Sequence, residues 1–166
     1  MTVDSYRFVD RITRRVLKAW EARGSYREIP WTPLTKPLAE CTVAAVSTAG
    51  LALETDEPFD QESERQNPWW GDPSFRVIPR DATEKEVRSW HLHGNAANVK
   101  EDLNCVFPLA GLRELERRGE IGRSASRHYS FMGYILEPTA LLSESTPEMI
   151  RLMREDAVDA VLLVPY

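Results

Sequence analysis

His91 and His93 stand two residues apart in the run Ser89-Trp90-His91-Leu92-His93-Gly94-Asn95. On an extended chain both imidazoles would leave the same face. That spacing suits a pair of structural hydrogen-bonding groups, an acid/base pair in a substrate site, or two ligands of one metal. No third ligand lies nearby in sequence, so no metal is assigned. The remaining histidine, His128, is followed by Tyr129 in a run of hydroxyls and aromatics that ends at Gly133. This stretch reads equally as a loop lining a pocket or as a strand packed by its aromatics. His91, His93, His128 and Tyr129 are therefore the candidate catalytic groups. Ser47, Thr48, Gly50 and Asn95 are the candidate substrate-binding residues. A Ser-Thr-Ala-Gly turn at a strand's carboxyl end can offer N–H groups to a phosphate or carboxylate, although a plain strand-to-loop turn fits as well. There is no GxGxxG and no Walker lysine, so no nucleotide is assigned. Cys41 and Cys105 are the only cysteines and have neither a CxxC nor a metal-site spacing.

Those residues need a frame. Residues 41–50 are small and β-branched, as in a strand buried on both faces. Residues 75–79 predict a short strand, and Asp81 or Thr83 could cap a helical turn after it. Pro108 marks the start of a helix to about Arg118 that Gly119 ends. A last helix is expected with Thr146 as N-cap and Pro147 in its first turn, placing Ile150, Met153 and Ala157 toward a sheet. It leads into the apolar run 158–164, which reads as a fully buried central strand of a parallel sheet. Ligands of such sheets sit beyond the strands' carboxyl ends, here Pro165-Tyr166. Residues 54–74 show no period, and hold seven acids, three prolines and two tryptophans. So long a structureless connection is expected to be a functional loop with a solvated acidic surface.

The first 38 residues form a separate part. Residues 5–23 predict an amphipathic helix, with Val9, Ile12, Val16, Leu17 and Trp20 on one side and Arg11, Arg14, Arg15 and Lys18 on the other. It covers a domain or partner surface, or lies on a membrane. Three prolines in 29–38 make an extended arm. Residues 39–166 are then an α/β domain: a mostly parallel central sheet with helices on both faces, an incomplete doubly wound, Rossmann-like architecture.

Whole-chain properties limit the partners. The net charge of -5 over 166 residues disfavours nucleic acid. No run approaches the roughly 18 apolar residues of a spanning helix, and the N-terminus lacks the pattern of a secretion signal. A cytoplasmic protein with reduced thiols and no membrane partner is expected.

Several runs carry a resemblance. They are 33–38 (PLTKPL), 46–50 (VSTAG), 70–81 (WGDPSFRVIPRD), 91–93 (HLH), 127–133 (RHYSFMG) and 159–165 (DAVLLVP). Together they resemble the glycine/sarcosine/betaine reductase selenoprotein B family, related to D-proline reductase, and its short bacterial members in particular. The resemblance covers most of the chain. It implies reductive cleavage of a carbon–nitrogen bond, or a related two-electron reduction, driven by a thiol or selenoprotein electron donor. It also implies that the run ending in Leu-Leu-Val-Pro leads into a selenocysteine, or a cysteine in its place, two residues before a second cysteine. A further βα unit follows there. The expectation is thus a chain truncated before its redox motif, at a codon otherwise read as stop, with no cofactor of its own.

Three functional readings follow. The first is the substrate-side portion of a selenol- or thiol-dependent reductase for a small molecule, inactive as a fragment. The second is a non-catalytic α/β binding module or subunit whose open sheet edge is covered by a partner chain, a homo-oligomer included. The third is a metal enzyme using His91 and His93.

Overall fold

The computed structural model describes residues 10–21, 32–67, 70–92, 94 and 96–166. The chain divides into two units, Met1–Pro33 and Leu34–Tyr166. In the first, helix α1 spans Arg11–Glu21 and carries no acid in its first turn. Asp10 caps it, its Oδ1 accepting from the N–H groups of Ile12 at 2.8 Å and Thr13 at 3.1 Å. The rest of the expected helix, and Ile29–Trp31 of the arm, lie outside the described residues. From Leu34 the arm belongs with the second unit. Lys36 pairs with Asp159 at 2.7 Å, and the Cys41 thiol lies 3.4 Å from the Pro37 carbonyl.

The second unit is an α/β domain built on strand β1, Thr42–Ser47, which is buried throughout. Its next strand, β2 (Leu51–Leu53), pairs antiparallel with β4 (Val87–Ser89) as a small separate sheet. The main sheet adds β3 (Phe75–Pro79), β5 (Arg123–Ser124), β6 (Arg127–Phe131) and β7 (Ala160–Val164). Val43 pairs with both Ser124 and Ala160, and Val46 with both Tyr129 and Leu163. Strands β5 and β6 therefore share one side of β1, and β7 takes the other, all parallel to it. Strand β3 lies beyond β6 and is antiparallel.

Alternation along β1 sends side chains to two cores. Val43 and Ala45 pack with Val99 of helix α3 (Ala96–Glu101), Phe107, and Leu109 and Leu112 of helix α4 (Leu109–Arg117). Ala44 and Val46 pack with Tyr129 and with Met149 of helix α5 (Thr146–Glu155). Helices thus cover both faces, as the sequence predicts. Helix α4 starts after Pro108 and stops before Gly119, whose φ of +70° suits a residue without Cβ.

Three expectations are corrected. Residues 54–74 are not structureless: helix α2 spans Gln61–Gln66, and Asp60 caps it by accepting from Ser63 N. Helix α5 is not a new helix at Thr146 but the continuation of earlier helical turns. Helical turns run from residue 139 through a π-helical segment, Leu141–Ser145, so Thr146 is no N-cap. Pro147 lies inside a continuous helix, where its missing N–H removes one bond of the ladder just after the π-helical turn. Met149 is the buried residue there, while Ile150 is exposed and Ala157 lies in an exposed turn with φ +50°. Finally, β7 is parallel to β1 but is neither central nor fully buried. It is an edge strand, with Val161, Leu162 and Leu163 exposed by 42%, 39% and 71%. Its apolar composition suggests burial, but exposure is decided by what lies alongside. Among the described residues, nothing lies beyond β7.

Candidate functional site at the carboxyl edge

Strands β1 and β7 run parallel, so both deliver their next residues to the same edge of the sheet. Thr48 N donates to Val164 O at 3.2 Å, closing the ladder. The Thr48 hydroxyl then holds Tyr166 by both of its backbone groups. It accepts from Tyr166 N at 2.8 Å and donates to Tyr166 O at 3.3 Å. The Tyr166 ring meets His91 edge to face, with centroids 5.6 Å apart and planes at 83°.

Two glycines make this packing possible. A Cβ at Gly133 would lie 2.7 Å from His91 Nε2 and 3.0 Å from the Thr48 carbonyl oxygen. A Cβ at Gly94 would lie 2.4 Å from the Tyr166 ring. Gly50, with φ +57°, turns the chain from β1 into β2, and its carbonyl accepts from Trp90 N at 2.8 Å. The edge thus gathers Thr48, Gly50, His91, Gly94, Gly133 and Tyr166. Of these, Thr48, Gly50 and His91 were sequence candidates. Tyr166 belongs to the Pro165-Tyr166 segment that the sequence marks as the ligand's place; Gly94 and Gly133 were not candidates, and their roles depend on contacts between segments far apart in sequence.

The turn after β1 does not serve as an anion cradle. Ala49 N donates to Ser47 Oγ, Gly50 N to Phe131 O, and Thr48 N to Val164 O. All three amides are already engaged. Ser47 itself is buried, its hydroxyl donating to Val106 O at 2.9 Å. The region of His91 is a turn rather than a strand, since Gly94 N donates to His91 O at 3.3 Å. His93 and Asn95 lie outside the described residues. No group of three His, Cys, Asp or Glu side chains suited to a metal occurs among the described residues.

His128 and Tyr129 lie elsewhere, on β6 inside the domain. His128 is fully buried. Its Nδ1 accepts from Ala45 N at 2.9 Å, which makes Nε2 the protonated nitrogen, facing Ser124 Oγ at 3.2 Å. Burial first, then the charges of Arg80 and Arg113, pushes its pKa down to about 4. A neutral imidazole here joins β1 to β5 and β6. Ser130, two residues on, does similar work, donating to Ser47 O at 3.1 Å and accepting from Leu51 N at 2.9 Å. Tyr129 points to the opposite core, beside Phe75, and burial pushes its pKa up to about 12. Arg127 starts the strand with a two-pronged contact to Asp156, both arms 2.8 Å, tying β6 to the end of α5.

A groove of about 740 Å³ opens between β4 and α3, lined by Glu54, Lys85, Arg88, Ser89, Lys100 and Glu101. Its charges are of both signs, and Arg88 is already paired with Glu54 at 2.8 Å. Ligands of parallel sheets sit beyond the carboxyl ends of the strands, so the edge is the better candidate for chemistry.

The fold and edge define an α/β protein whose site is expected beyond the carboxyl ends of parallel strands. Residues 14–165 match the family model for glycine/sarcosine/betaine reductase selenoprotein B, and the chain belongs to that family. It is 38% identical over 133 residues to D-proline reductase subunit gamma of Acetoanaerobium sticklandii, a match spanning 80% of this chain and 52% of that protein. It is 27% identical over 129 residues to betaine reductase complex component B subunit beta of Peptoclostridium acidaminophilum, spanning 77% of this chain and 28% of that protein. The chain therefore spans about half or less of the curated relatives it matches. No solved structure matches it. Among the described residues no helix is long and apolar enough to cross a membrane.

Proposed function

We propose that this chain is the substrate-side portion of a selenol- or thiol-dependent reductase that cleaves a carbon–nitrogen bond of a small molecule in the cytoplasm. In this reading the nucleophile, a selenocysteine or cysteine, follows Tyr166 at the carboxyl edge. The observation that carries the reading is the double hold of Thr48 on Tyr166, which fixes the exit of β7 beside His91. The family match and the relatives' names, D-proline reductase and betaine reductase, supply the reaction class.

The chemistry balances as a two-electron reduction. The carbon–nitrogen bond breaks, carbon and nitrogen each gain a hydrogen, and a dithiol or selenol–thiol pair is oxidised to the corresponding disulfide or selenenylsulfide. A partner thiol or selenoprotein then restores the reduced pair. A low-pKa selenol or thiolate is the nucleophilic form. In this reading His91, at the same edge, exchanges a proton with substrate. His128 keeps β1 and β6 in register.

The test is an extended protein with cysteine placed directly after residue 166 and the downstream frame retained. It is incubated with dithiothreitol and D-proline, betaine, sarcosine or glycine, and the product amine is measured, a free amine from the last three and a ring-opened primary amine from D-proline. Amine formation that depends on the added cysteine supports the reading. No turnover of any of the four, with the protein folded, contradicts it.

A further inference from the structure

Helix α2 reaches the candidate edge through one side chain. Gln61, its first residue, donates from Nε2 to the carbonyl of Trp90, the residue before His91. Gln61 Oε1 accepts from Arg65 Nη2 at 3.2 Å, which leaves the amide nitrogen as the end that faces Trp90. The Trp90 N–H donates to Gly50 O at 2.8 Å. Both main-chain groups of Trp90 are thus gripped, one by the β1–β2 turn and the other by α2. Helix α2 is itself fixed. Buried Asp72 accepts from Asp60 N and from Ser74 N, each at 2.9 Å, and so ties the start of α2 to the start of β3. Phe59 is buried with Ala52 and Met132 in the cluster against which Trp90 packs, and the Arg76 guanidinium lies 4.3 Å over its ring.

We propose that Gln61 is the positioning residue of His91, and that the acidic stretch 54–74 serves the site as its support. The proposal rests on the reading in which His91 exchanges a proton with substrate. Such an exchange needs the imidazole within hydrogen-bond reach of the substrate, about 2.6–3.2 Å. His91 sits in a turn, so its ring direction depends on what holds the peptide unit before it. That unit is planar, and its two polar groups are the Trp90 carbonyl and the His91 N–H. The N–H lies 3.5 Å from Ser89 Oγ, a weak bond, so the carbonyl end carries the hold. Gln61 therefore sets the plane from which His91 departs, and with it the edge contact of the His91 ring with Tyr166. The residue type fits the task. In a stretch that holds seven acids, an amide can donate to a carbonyl where a carboxylate cannot.

The test reads the His91 ring by nuclear magnetic resonance on the 166-residue protein labelled at histidine, with His91→Gln to assign its signals. The Tyr166 ring, 5.6 Å away between centroids, shifts the His91 ring protons, and Tyr166→Leu gives their position without that shift. Gln61→Glu keeps the length and the Arg65 partner but cannot donate to a carbonyl at neutral pH. It should move the His91 resonances toward the Tyr166→Leu position. Gln61→Met, which adds no charge, should do the same. Gln66→Met removes a different side-chain bond of α2, that to Glu62 at 2.9 Å, and should leave the resonances in place. Unshifted resonances in both Gln61 variants overturn the proposal, and so does an equal shift in Gln66→Met, which would mark a general loosening of the helix. In the extended, cysteine-bearing protein, Gln61→Glu should lower kcat about 10–100-fold at unchanged KM, because a displacement of about 1 Å is enough for such a loss. An unchanged kcat overturns the proposal as well. Failure of amine formation by the extended protein strikes the reductase reading alone, since the ring resonances judge Gln61 without turnover.

Discussion

The Thr48 hydroxyl accepts from Tyr166 N and donates to Tyr166 O, so one side chain on β1 fixes the exit of β7 across 118 residues of chain. Thr48→Val keeps the shape and removes both bonds. The variant should fold with the same spectrum and lose about 1 kcal/mol of stability in urea titration. The Tyr166 amide should exchange with solvent faster, read by hydrogen exchange, while Thr48→Ser keeps the slow rate. Unchanged exchange in Thr48→Val would remove this contact from the account.

Gly133 leaves room for His91 and the Thr48 carbonyl. Two of the three neighbours a Cβ would meet, the Thr48 and Tyr166 carbonyl oxygens, are backbone, so Gly133→Ala should move the His91 ring and break its edge contact with Tyr166. An overpacking cost of about 1–3 kcal/mol is expected. The check is the His91 ring resonances together with the urea midpoint. A variant with unshifted resonances and wild-type stability would show that the site is looser than described.

The buried, neutral His128 predicts an acid-side stability loss. Its folded pKa of about 4 lies below the ordinary 6.5, so the unfolded chain binds the extra proton between those values. Stability from this group is complete above pH 6.5, falls as pH drops toward 4, and changes no further below it. The loss is on the order of 3 kcal/mol, at about 1.4 kcal/mol per pKa unit. Asp156, held below the usual carboxylate range by hydrogen bonding to Arg127, loses its contribution in a more acidic window. In urea titrations from pH 7 to 4, His128→Asn should therefore flatten the slope relative to wild type. Equal slopes would mean that His128 is solvated.

Arg127 grips Asp156 with two arms and also donates to Leu152 O at 3.1 Å. Lysine keeps the charge but cannot fork. Arg127→Lys should cost about 1–2 kcal/mol. Its effect should be non-additive with Asp156→Asn in a double-mutant cycle. Additivity would mean that the pair carries no coupling energy.

Much of the frame was legible because its signals are local. The apolar run of β1, the Pro108 and Gly119 bounds of α4, and the helix leading into β7 needed no partner to be read. Elements of three residues, β2 and β4, are too short to show a period. Helix α2 carried a capping pair, Asp60 and Ser63, hidden in an acidic stretch without apolar periodicity. His128 could not be assigned from sequence because its partner, Ala45 N, is 83 residues away. The same holds for the edge: His91 and Thr48 were visible as residue types, but the clearance at Gly133 and the hold on Tyr166 exist only once β1, β6 and β7 lie together. The reading of β7 as central failed for a related reason, since composition reports a strand's apolarity and not its neighbours.

The reductase reading proposed above expects a redox nucleophile directly after Tyr166, at the edge where Thr48 and His91 meet. The most direct measurement is the gene sequence beyond codon 166. The account predicts UGA or a cysteine codon at that point, and a cysteine codon two positions further in the same frame. Any other sense codon directly after Tyr166, or a downstream frame without that second cysteine, would contradict it.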